Sequence, residues 1–279
     1  MVLFKRVEDI QKYISTQKKE GRKIGFIPTM GALHEGHLSL IQSSRKGSEI
    51  TICSIFVNPT QFNNKEDFNK YPASIEQDIE KLITAGCDAL FYPSLEEIYP
   101  KDYHPKHYEL GNLEKILEGH FRPGHFQGVC QVVDRLLEII QPDNLYLGQK
   151  DYQQCMVINK LLSLVNNTKV QLIISPTIRE ESGLAMSSRN LRLNEEEKKT
   201  ATAIYQSLLF IKENLSSSSI PDLKQKCTEL LTSKGFIVDY VDIVDAATLN
   251  SNASTDAPQV ALIAATINNV RLIDNMLLD

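Results

Sequence analysis

The sequence lacks the features that mark several classes of protein. No apolar run approaches the roughly 20 residues that a helix needs to span a bilayer, and there is no internal repeat or heptad array. Basic residues are not in excess, because 30 Lys and Arg stand against 35 Asp and Glu. A net charge of −5 argues against a general surface for nucleic acid or anionic membranes. We therefore expect neither kind of partner.

Metal-binding motifs and paired cysteines are also missing. No C-x-x-C or H-E-x-x-H motif is available to hold a structural metal. The five cysteines are scattered and mostly embedded in apolar segments: Cys53, Cys87, Cys130, Cys155 and Cys227. We expect reduced core residues of a cytoplasmic protein, with a catalytic cysteine as the alternative. The opening MVLFKRVEDIQKYISTQKK turns charged after a very short apolar run, which is unlike a signal peptide.

What is present is an alternation of strand-like and helix-like runs through the first 175 of 279 residues. The predicted strands are 23–27, 50–57, 89–92, 144–147 and 170–175. One predicted helix begins at His37, and three others span 74–87, 127–140 and 152–165. Ser74 and Gln77 are expected to form a capping box at the start of the helix 74–87. Such alternation is typical of an α/β domain whose parallel sheet has helices on both faces.

The pattern changes after Ser175. A helix with an acidic first turn at Glu195–Glu197 and a second helix from Pro221 to Ser233 are predicted. Strand-like runs follow at 236–244, 260–266 and 270–273. Helices followed by strands indicate a small α+β domain. We predict two domains, over 1–176 and 177–279.

The stretch PTMGALHEGH, residues 28–37, is the most informative part of the chain. Pro28 should end the first of the predicted strands, and a glycine-containing loop then leads into a helix. His34 and His37 are three residues apart and can share one side of the first helical turn. Imidazoles at a helix N-terminus suit phosphate oxygens whose charge changes during a reaction.

The bare H-x-x-H pattern is weak by itself. A second copy, His104 and His107, has no preceding strand or following helix, and we interpret it as structural. Helix capping or chance is the alternative for His34 and His37 too, and a metal site would need further ligands at suitable spacing.

Three loops follow predicted strands at 28–37, 58–64 and 148–154, where parallel sheets bind ligands. In FVNPTQF, Asn58 and Gln61 offer amides for a hydroxyl or carboxylate, or else form an ordinary Asn-Pro turn. In YLGQKDYQQ, Lys150 offers positive charge, and Asp151 either caps the next helix or holds a metal. Farther along, the segment 186–189, MSSR, either clamps a triphosphate or is an exposed loop.

Five motifs follow one another: PTMGALHEGH, FVNPTQF, EGHFRPGHFQGV, YLGQKDYQQ and TIREESGLAMSSRN. In this order, over essentially the whole chain, they resemble the pantoate–β-alanine ligases of the HIGH-type nucleotidyltransferase superfamily. The resemblance implies condensation of (R)-pantoate with β-alanine, in which ATP yields AMP and pyrophosphate through a pantoyl adenylate. It also implies a Rossmann-like N-terminal domain, a smaller C-terminal lid domain and a homodimer.

The resemblance assigns roles residue by residue. His34 and His37 would bind the ATP phosphates and stabilise the departing pyrophosphate, with His37 as the main catalytic group. Gln61 and Gln154 would hold pantoate. The implied ATP contacts are Met30, Gly31, His34, His37, Gly148, Gln149, Lys150, Asp151, Ile178, Met186, Ser187, Ser188 and Arg189. Of these, Lys150 would meet the phosphates and Ile178 the adenine.

Some points stay open within the resemblance. Magnesium would bridge the phosphates with Asp78 as its candidate ligand, although Gln77 stands where many family members are acidic. Arg122 and His125 either touch substrate or shape the pocket wall.

Two other functions compete with the ligase. A related nucleotidyltransferase that serves a phosphate acceptor would share the first loop without needing Gln61 and Gln154. A non-catalytic nucleotide-binding or nucleic-acid-binding module is the second alternative, but a nucleic-acid binder ordinarily carries a basic face.

Overall fold

Two compact units make up the chain. The computed structural model describes residues 1–63, 68–69, 71–72, 74–251 and 257–278. One unit comprises Met1–Gly148 with Val157–Pro176, and the other comprises Gln149–Met156 with Thr177–Asp279. This division differs from the predicted boundary in one stretch, because Gln149–Met156 groups with the second unit. The predicted loop 58–64 is described as far as residue 63.

A six-stranded parallel sheet frames the first unit. Its strands are β1 Val2–Phe4, β2 Ile24–Thr29, β3 Ile50–Ile55, β4 Ala89–Phe91, β5 Asn144–Gly148 and β6 Gln171–Ser175. The strand order is β1-β4-β3-β2-β5-β6, so the direction of winding reverses between β2 and β5. Ligands of such sheets bind beyond the carboxyl ends of the strands at this reversal. The loop after β2, which carries both histidines, starts there.

Helices connect these strands. They are α1 Val7–Lys19, α2 Glu35–Gly47, α3 Ile75–Ala85, α4 Leu95–Ile98, α5 Leu117–Phe121, α6 His125–Ile140 and α7 Tyr152–Leu164. The apolar face predicted for α6 is buried, including Val129, Val133 and Leu137. The prediction of an α/β fold with a Rossmann-like parallel sheet is confirmed.

The end of β2 corrects the prediction that Pro28 stops the strand. The strand continues through Pro28 to Thr29, and Pro28 is in register with Ser54 of β3. Among the described residues, β2 pairs with its other neighbour, β5, only at Gly25 and Phe26. A proline cannot donate to a ladder. It is accommodated here because the pairing with β5 has already ended.

The start of α3 corrects a second prediction. Ser74 is the residue before the helix, but its side chain makes no capping hydrogen bond among the described residues. Its backbone angles, φ −145° and ψ 58°, lie outside the extended geometry in which an N-cap oxygen reaches the first turn. The predicted capping box with Gln77 is therefore wrong. The helix does end as predicted, with Gly86 in the left-handed region at φ 80°.

The second unit is built on a three-stranded antiparallel sheet. Its helices are α8 Glu195–Asn214 and α9 Ile220–Ser233, and its strands are β7 Ile237–Asp245, β8 Gln259–Ile267 and β9 Val270–Leu277 in that order across the sheet. Asn194 and Glu197 form a capping box at the start of α8, with bonds of 2.9 and 2.8 Å. The predicted α+β character of this part is confirmed.

All five cysteines are buried and free of disulfides. Burial raises the pKa of the Cys130 thiol to about 12 and that of Cys227 to about 11. Such thiols stay protonated at neutral pH and behave as small apolar side chains. Among the described residues, no helix combines the length and apolar character needed to cross a membrane.

Candidate active site

The loop between β2 and α2 is held by a carboxylate from a distant helix. Asp78 of α3 is 1% exposed, and its two oxygens accept the backbone N–H groups of Ala32 and Leu33, each at 2.8 Å. Ala32 has a left-handed φ of 50°, which is uncommon for a residue other than glycine. Lys81 of the same helix donates to the Leu33 carbonyl at 2.6 Å. These bonds define the backbone that leads to the histidines.

Gly31 is required in this loop for two reasons. Its φ is +83°, and a Cβ at this position would lie 3.1 Å from the Asp78 carboxylate. Its N–H donates to Thr29 Oγ1 at 3.2 Å, and that hydroxyl donates to the Ser54 carbonyl at 2.7 Å. The loop is thus tied to both β2 and β3 where they end.

His34 and His37 lie together at the first turn of α2, as predicted. Their ring centroids are 4.1 Å apart, and both residues are half-buried. His34 is the N-cap, and its Nδ1 accepts the Gly36 N–H at 3.2 Å. His37 Nδ1 accepts the His34 N–H at 3.3 Å.

These contacts determine the tautomer of both rings. A nitrogen that accepts a backbone N–H carries no proton, so each neutral imidazole has its proton on Nε2. Each ring therefore presents an Nε2–H donor. Two such donors at a helix N-terminus, with the helix dipole behind them, suit the oxygens of a phosphate.

Gln61 lies in a short 3-10 helix, Pro59–Gln61, after β3. Its Nε2 is 2.9 Å from the sulfur of Met30, so the loop after β3 contacts the histidine loop. Its Oε1 accepts from Asn58 Nδ2 at 3.3 Å. His125 Nδ1 lies 2.8 Å from the Gln61 carbonyl oxygen, and His125 is 6% exposed. His125 thus supports the backbone of Gln61.

A close backbone approach also positions Gln61. Gly128 of α6 packs against the 3-10 turn so tightly that a Cβ would lie 2.3 Å from the Thr60 oxygen and 2.8 Å from the Gln61 nitrogen. The Gly128 carbonyl accepts from Asn58 Nδ2 at 3.0 Å. Only glycine allows this helix and this turn to come so near.

In the second unit, Gln149, Lys150 and Asp151 form a 3-10 turn that leads into α7. Lys150 Nζ is 3.7 Å from the Asp151 carboxylate. The carbonyls of Gln149 and Lys150 accept from Asn275 Nδ2 at 2.9 and 2.8 Å. Gln154 lies in the first turn of α7 and is half-buried.

The segment that begins at Thr177 forms a hairpin. Met186 N–H donates to the Ile178 carbonyl at 3.0 Å, and Arg179 pairs with Ala185 as an antiparallel bridge. Arg179 holds Asp274 with two bonds of 2.6 and 3.1 Å and stacks 4.2 Å above the ring of Tyr205. The hairpin therefore joins Ile178 to Met186.

Another 3-10 turn, Ser188–Arg192, follows the hairpin. Ser187 Oγ caps it by accepting the Arg189 N–H at 3.3 Å. Ser188 is buried, whereas Ser187 and Arg189 are half-buried. The predicted MSSR segment is thus a folded turn.

The residues predicted for the site divide between the two units. The first unit contains Met30, Gly31, His34, His37, Gln61, Asp78 and Gly148, and the second contains Gln149, Lys150, Asp151, Gln154, Ile178, Met186, Ser187, Ser188 and Arg189. Within the first unit, the structure brings together the loop that carries Met30 and the histidines, the 3-10 turn that carries Gln61, and Asp78 of α3. The supporting roles of Gly128, Asp274 and Asn275 had no local sequence signal, because each depends on a partner far along the chain. His125, left open in the sequence between a substrate contact and the pocket wall, contacts the Gln61 carbonyl.

Asp78 has the contacts of a loop anchor. Both of its oxygens hold N–H groups and the side chain is buried, which supports the anchoring role. That Asp78 is also a magnesium ligand stays a prediction. Among the described residues, no group of three or more His, Cys, Asp or Glu side chains is placed to hold a metal ion. Magnesium is often held mainly by substrate phosphates and water.

Comparison with known proteins identifies the family. The family model for pantoate-beta-alanine ligase matches residues 2–277. The chain belongs to this family. Pantothenate synthetases from Fervidobacterium nodosum and Aquifex aeolicus are 43% and 41% identical to it, over 100% and 98% of both chains.

Solved structures agree with this assignment. Pantothenate synthetase from Thermus thermophilus superposes with a TM-score of 0.92 at 37% identity, covering 99% of each chain. Pantoate-beta-alanine ligase from Francisella tularensis, complexed with beta-gamma ATP and beta-alanine, has a TM-score of 0.84 at 39% identity and covers 99% of this chain and 97% of that one. The resemblance inferred from the five motifs is confirmed at the level of family, fold and ligase activity.

Proposed function

We propose that this chain joins pantoate to β-alanine in two steps, and that ATP is consumed in the first. The family match over residues 2–277 is the observation that carries this proposal. A carboxylate does not react with an amine at neutral pH, so the pantoate carboxylate first attacks the α-phosphorus of ATP. Pyrophosphate leaves and a pantoyl adenylate forms. The amine of β-alanine then attacks the acyl carbon, and AMP leaves.

In the first unit, His34 and His37 would bind the departing pyrophosphate. The Nε2–H groups of His34 and His37 would donate to the β- and γ-phosphate oxygens as negative charge builds on them. Donors that are already in place cost no reorganisation when the charge develops. Each Nδ1 accepts a backbone N–H, and this contact supports the role because it keeps the proton of each ring on its Nε2.

Gln61 would orient pantoate. Its amide is neutral, so it can hold a hydroxyl or carboxylate without quenching the nucleophile by a full positive charge. Asn58 donates to its side chain, and His125 and Gly128 contact its backbone, so these supports favour a single placement of Gln61. Positioning of this kind supplies much of the acceleration in reactions between two bound substrates.

In the second unit, the proposal assigns Lys150 to the phosphates and Gln154 to pantoate. Gln149, Asp151, Ile178 and the 186–189 segment would contact ATP. The backbone pairing of Ile178 with Met186 supports a common role for these two segments. That this unit acts as a lid stays a prediction.

Three further parts of the proposal rest on the resemblance. Magnesium would accompany ATP and neutralise phosphate charge, with Asp78 as its candidate ligand. The chain would form a homodimer, which light scattering on the purified protein tests. A cytoplasmic location agrees with five free thiols that are all buried.

Exchange of labelled pyrophosphate into ATP tests the two-step reaction. The wild type should catalyse this exchange with pantoate present and β-alanine left out, because the adenylate forms before the amine is needed. Exchange that requires β-alanine would contradict the proposal, as would a failure to form AMP with all three substrates present.

A further inference from the structure

Strand β9 carries two consecutive buried polar residues. Asp274 is 4% exposed and Asn275 is 2% exposed, although the strand packs partly against an apolar core through Leu272. Successive side chains of a strand point to opposite faces. Asp274 and Asn275 thus serve different partners, and Asp274 pairs with Arg179 at the base of the 178–186 hairpin.

Asn275 binds the Lys150 turn with every polar atom of its side chain. Its Nδ2 donates to the carbonyls of Gln149 and Lys150 at 2.9 and 2.8 Å, and its Oδ1 accepts from Gln149 Nε2 at 3.2 Å. The two carbonyls belong to the peptide groups on either side of the Lys150 Cα. One side chain therefore restrains both backbone torsions of Lys150 and so the direction of its Cβ.

The turn itself is short. It is a 3-10 segment of three residues, a geometry with weaker internal hydrogen bonds than an α-helix. Asn275, by contrast, is in register with Leu262 in the antiparallel ladder. Its backbone N–H also donates to Asp274 Oδ1 at 2.8 Å. A rigid strand thus holds a short turn.

We propose that Asn275 is a positioning residue for Lys150, which directs the ammonium group toward the ATP phosphates. This inference rests on the proposed role of Lys150. Removing the two donated bonds would leave the turn folded but would free the direction of the lysine. A misplacement of about 1 Å in a group that positions a substrate can cost about 100-fold in rate.

Asn275→Asp tests this with the smallest change of shape. It keeps the oxygen that accepts from Gln149 and replaces the donor with an acceptor that faces two carbonyls. Asn144→Asp is the matched control, since Asn144 is 7% exposed and its Nδ2 donates to the Gly47 carbonyl at 2.9 Å. Both variants should be less stable than the wild type. Only Asn275→Asp should lower kcat/KM for ATP, by roughly 10-fold to 100-fold.

A double-mutant cycle separates positioning from general damage. Lys150→Met should lower kcat/KM for ATP by itself, and adding Asn275→Asp to it should then change kcat/KM by less than about twofold, because the lysine that Asn275 positions is gone. Fold-changes that multiply would overturn the inference, and so would a single Asn275→Asp variant with the kcat/KM of the wild type. If Lys150→Met leaves kcat/KM for ATP unchanged, the proposed role of Lys150 fails first.

Discussion

The chain contains the pattern H-x-x-H twice, and the two copies have different surroundings. His34 and His37 are half-buried at the start of α2, with ring centroids 4.1 Å apart. His104 and His107 are exposed in a segment without helix or strand, and His107 Nε2 is 3.6 Å from the carboxylate of Glu109. The spacing is the same in both, so spacing does not decide the chemistry.

The difference lies in what holds each pair. The first pair follows a sheet strand, its Nδ1 atoms are occupied by backbone N–H groups, and Asp78 anchors the loop that precedes it. The carboxylate next to the second pair belongs to Glu109, whose side chain is 87% accessible. An ion pair between exposed groups adds little to the stability of the fold. A fixed tautomer at a helix N-terminus separates the proposed phosphate site from a surface pair.

The largest contrast should come from removing one histidine of each pair. His37→Ala should lower kcat by about 10²–10³, because it removes a donor to the departing pyrophosphate. His107→Ala should leave kcat unchanged. AMP formation at saturating substrates measures both, and equal loss in the two variants would remove the distinction between the pairs.

A smaller effect is expected from the carboxylates beside each pair. Asp78→Asn keeps only one acceptor for the N–H groups of Ala32 and Leu33, so the free energy of unfolding should fall by about 1.5–3 kcal/mol. The KM for ATP should rise as the loop loosens. Glu109→Gln should change neither quantity. Urea denaturation and initial rates check these outcomes, and an unaltered midpoint for Asp78→Asn would show that the loop has another anchor.

A third test concerns the 3-10 turn Pro59–Gln61, which contacts the loop that carries His34 and His37. Gly128→Ala places a Cβ against the backbone of Thr60 and Gln61, so the turn must shift. The KM for pantoate should rise by roughly 10-fold, with a smaller change for ATP. Gly47→Ala, whose Cβ would meet the hydroxyl of Tyr146, is the control and should leave the KM for pantoate alone. Equal changes in the two variants would argue against a role for this turn.

The smallest contrast concerns the helix cap. His34→Ala removes the capping nitrogen, whereas His34→Asn replaces it with a side chain that caps well, so their stabilities should differ by about 0.5–2 kcal/mol. Both variants lose the Nε2–H donor and should lose activity alike. His104→Ala and His104→Asn should be equally stable, because His104 is outside any helix. Thermal unfolding of all four variants measures this.

The sequence predicted best the features that depend on neighbouring residues. The strand, loop and helix around His34 and His37 follow from an apolar run, two glycines and a helical apolar face. The same holds for the α6 core face and for the left-handed Gly86 that ends α3. The order of five motifs then indicated the family.

Features that depend on distant partners were missed or misjudged. Pro28 stays in its strand because β5 stops pairing earlier, and β1 forms only because Val2–Phe4 meets β4. Asp78 reaches Ala32 across 46 residues, and Asn275 reaches Lys150 across 125. A local sequence pattern does not predict such long-range contacts, so only the structure shows which residues hold the site in place.

Pantoate-dependent exchange of pyrophosphate into ATP, with β-alanine left out, tests most directly whether the first histidine pair handles the departing pyrophosphate. The wild type and His107→Ala should exchange at the same rate, and His37→Ala should be slower by about 10²–10³. Wild-type exchange by His37→Ala would contradict the assignment of this pair to the phosphates.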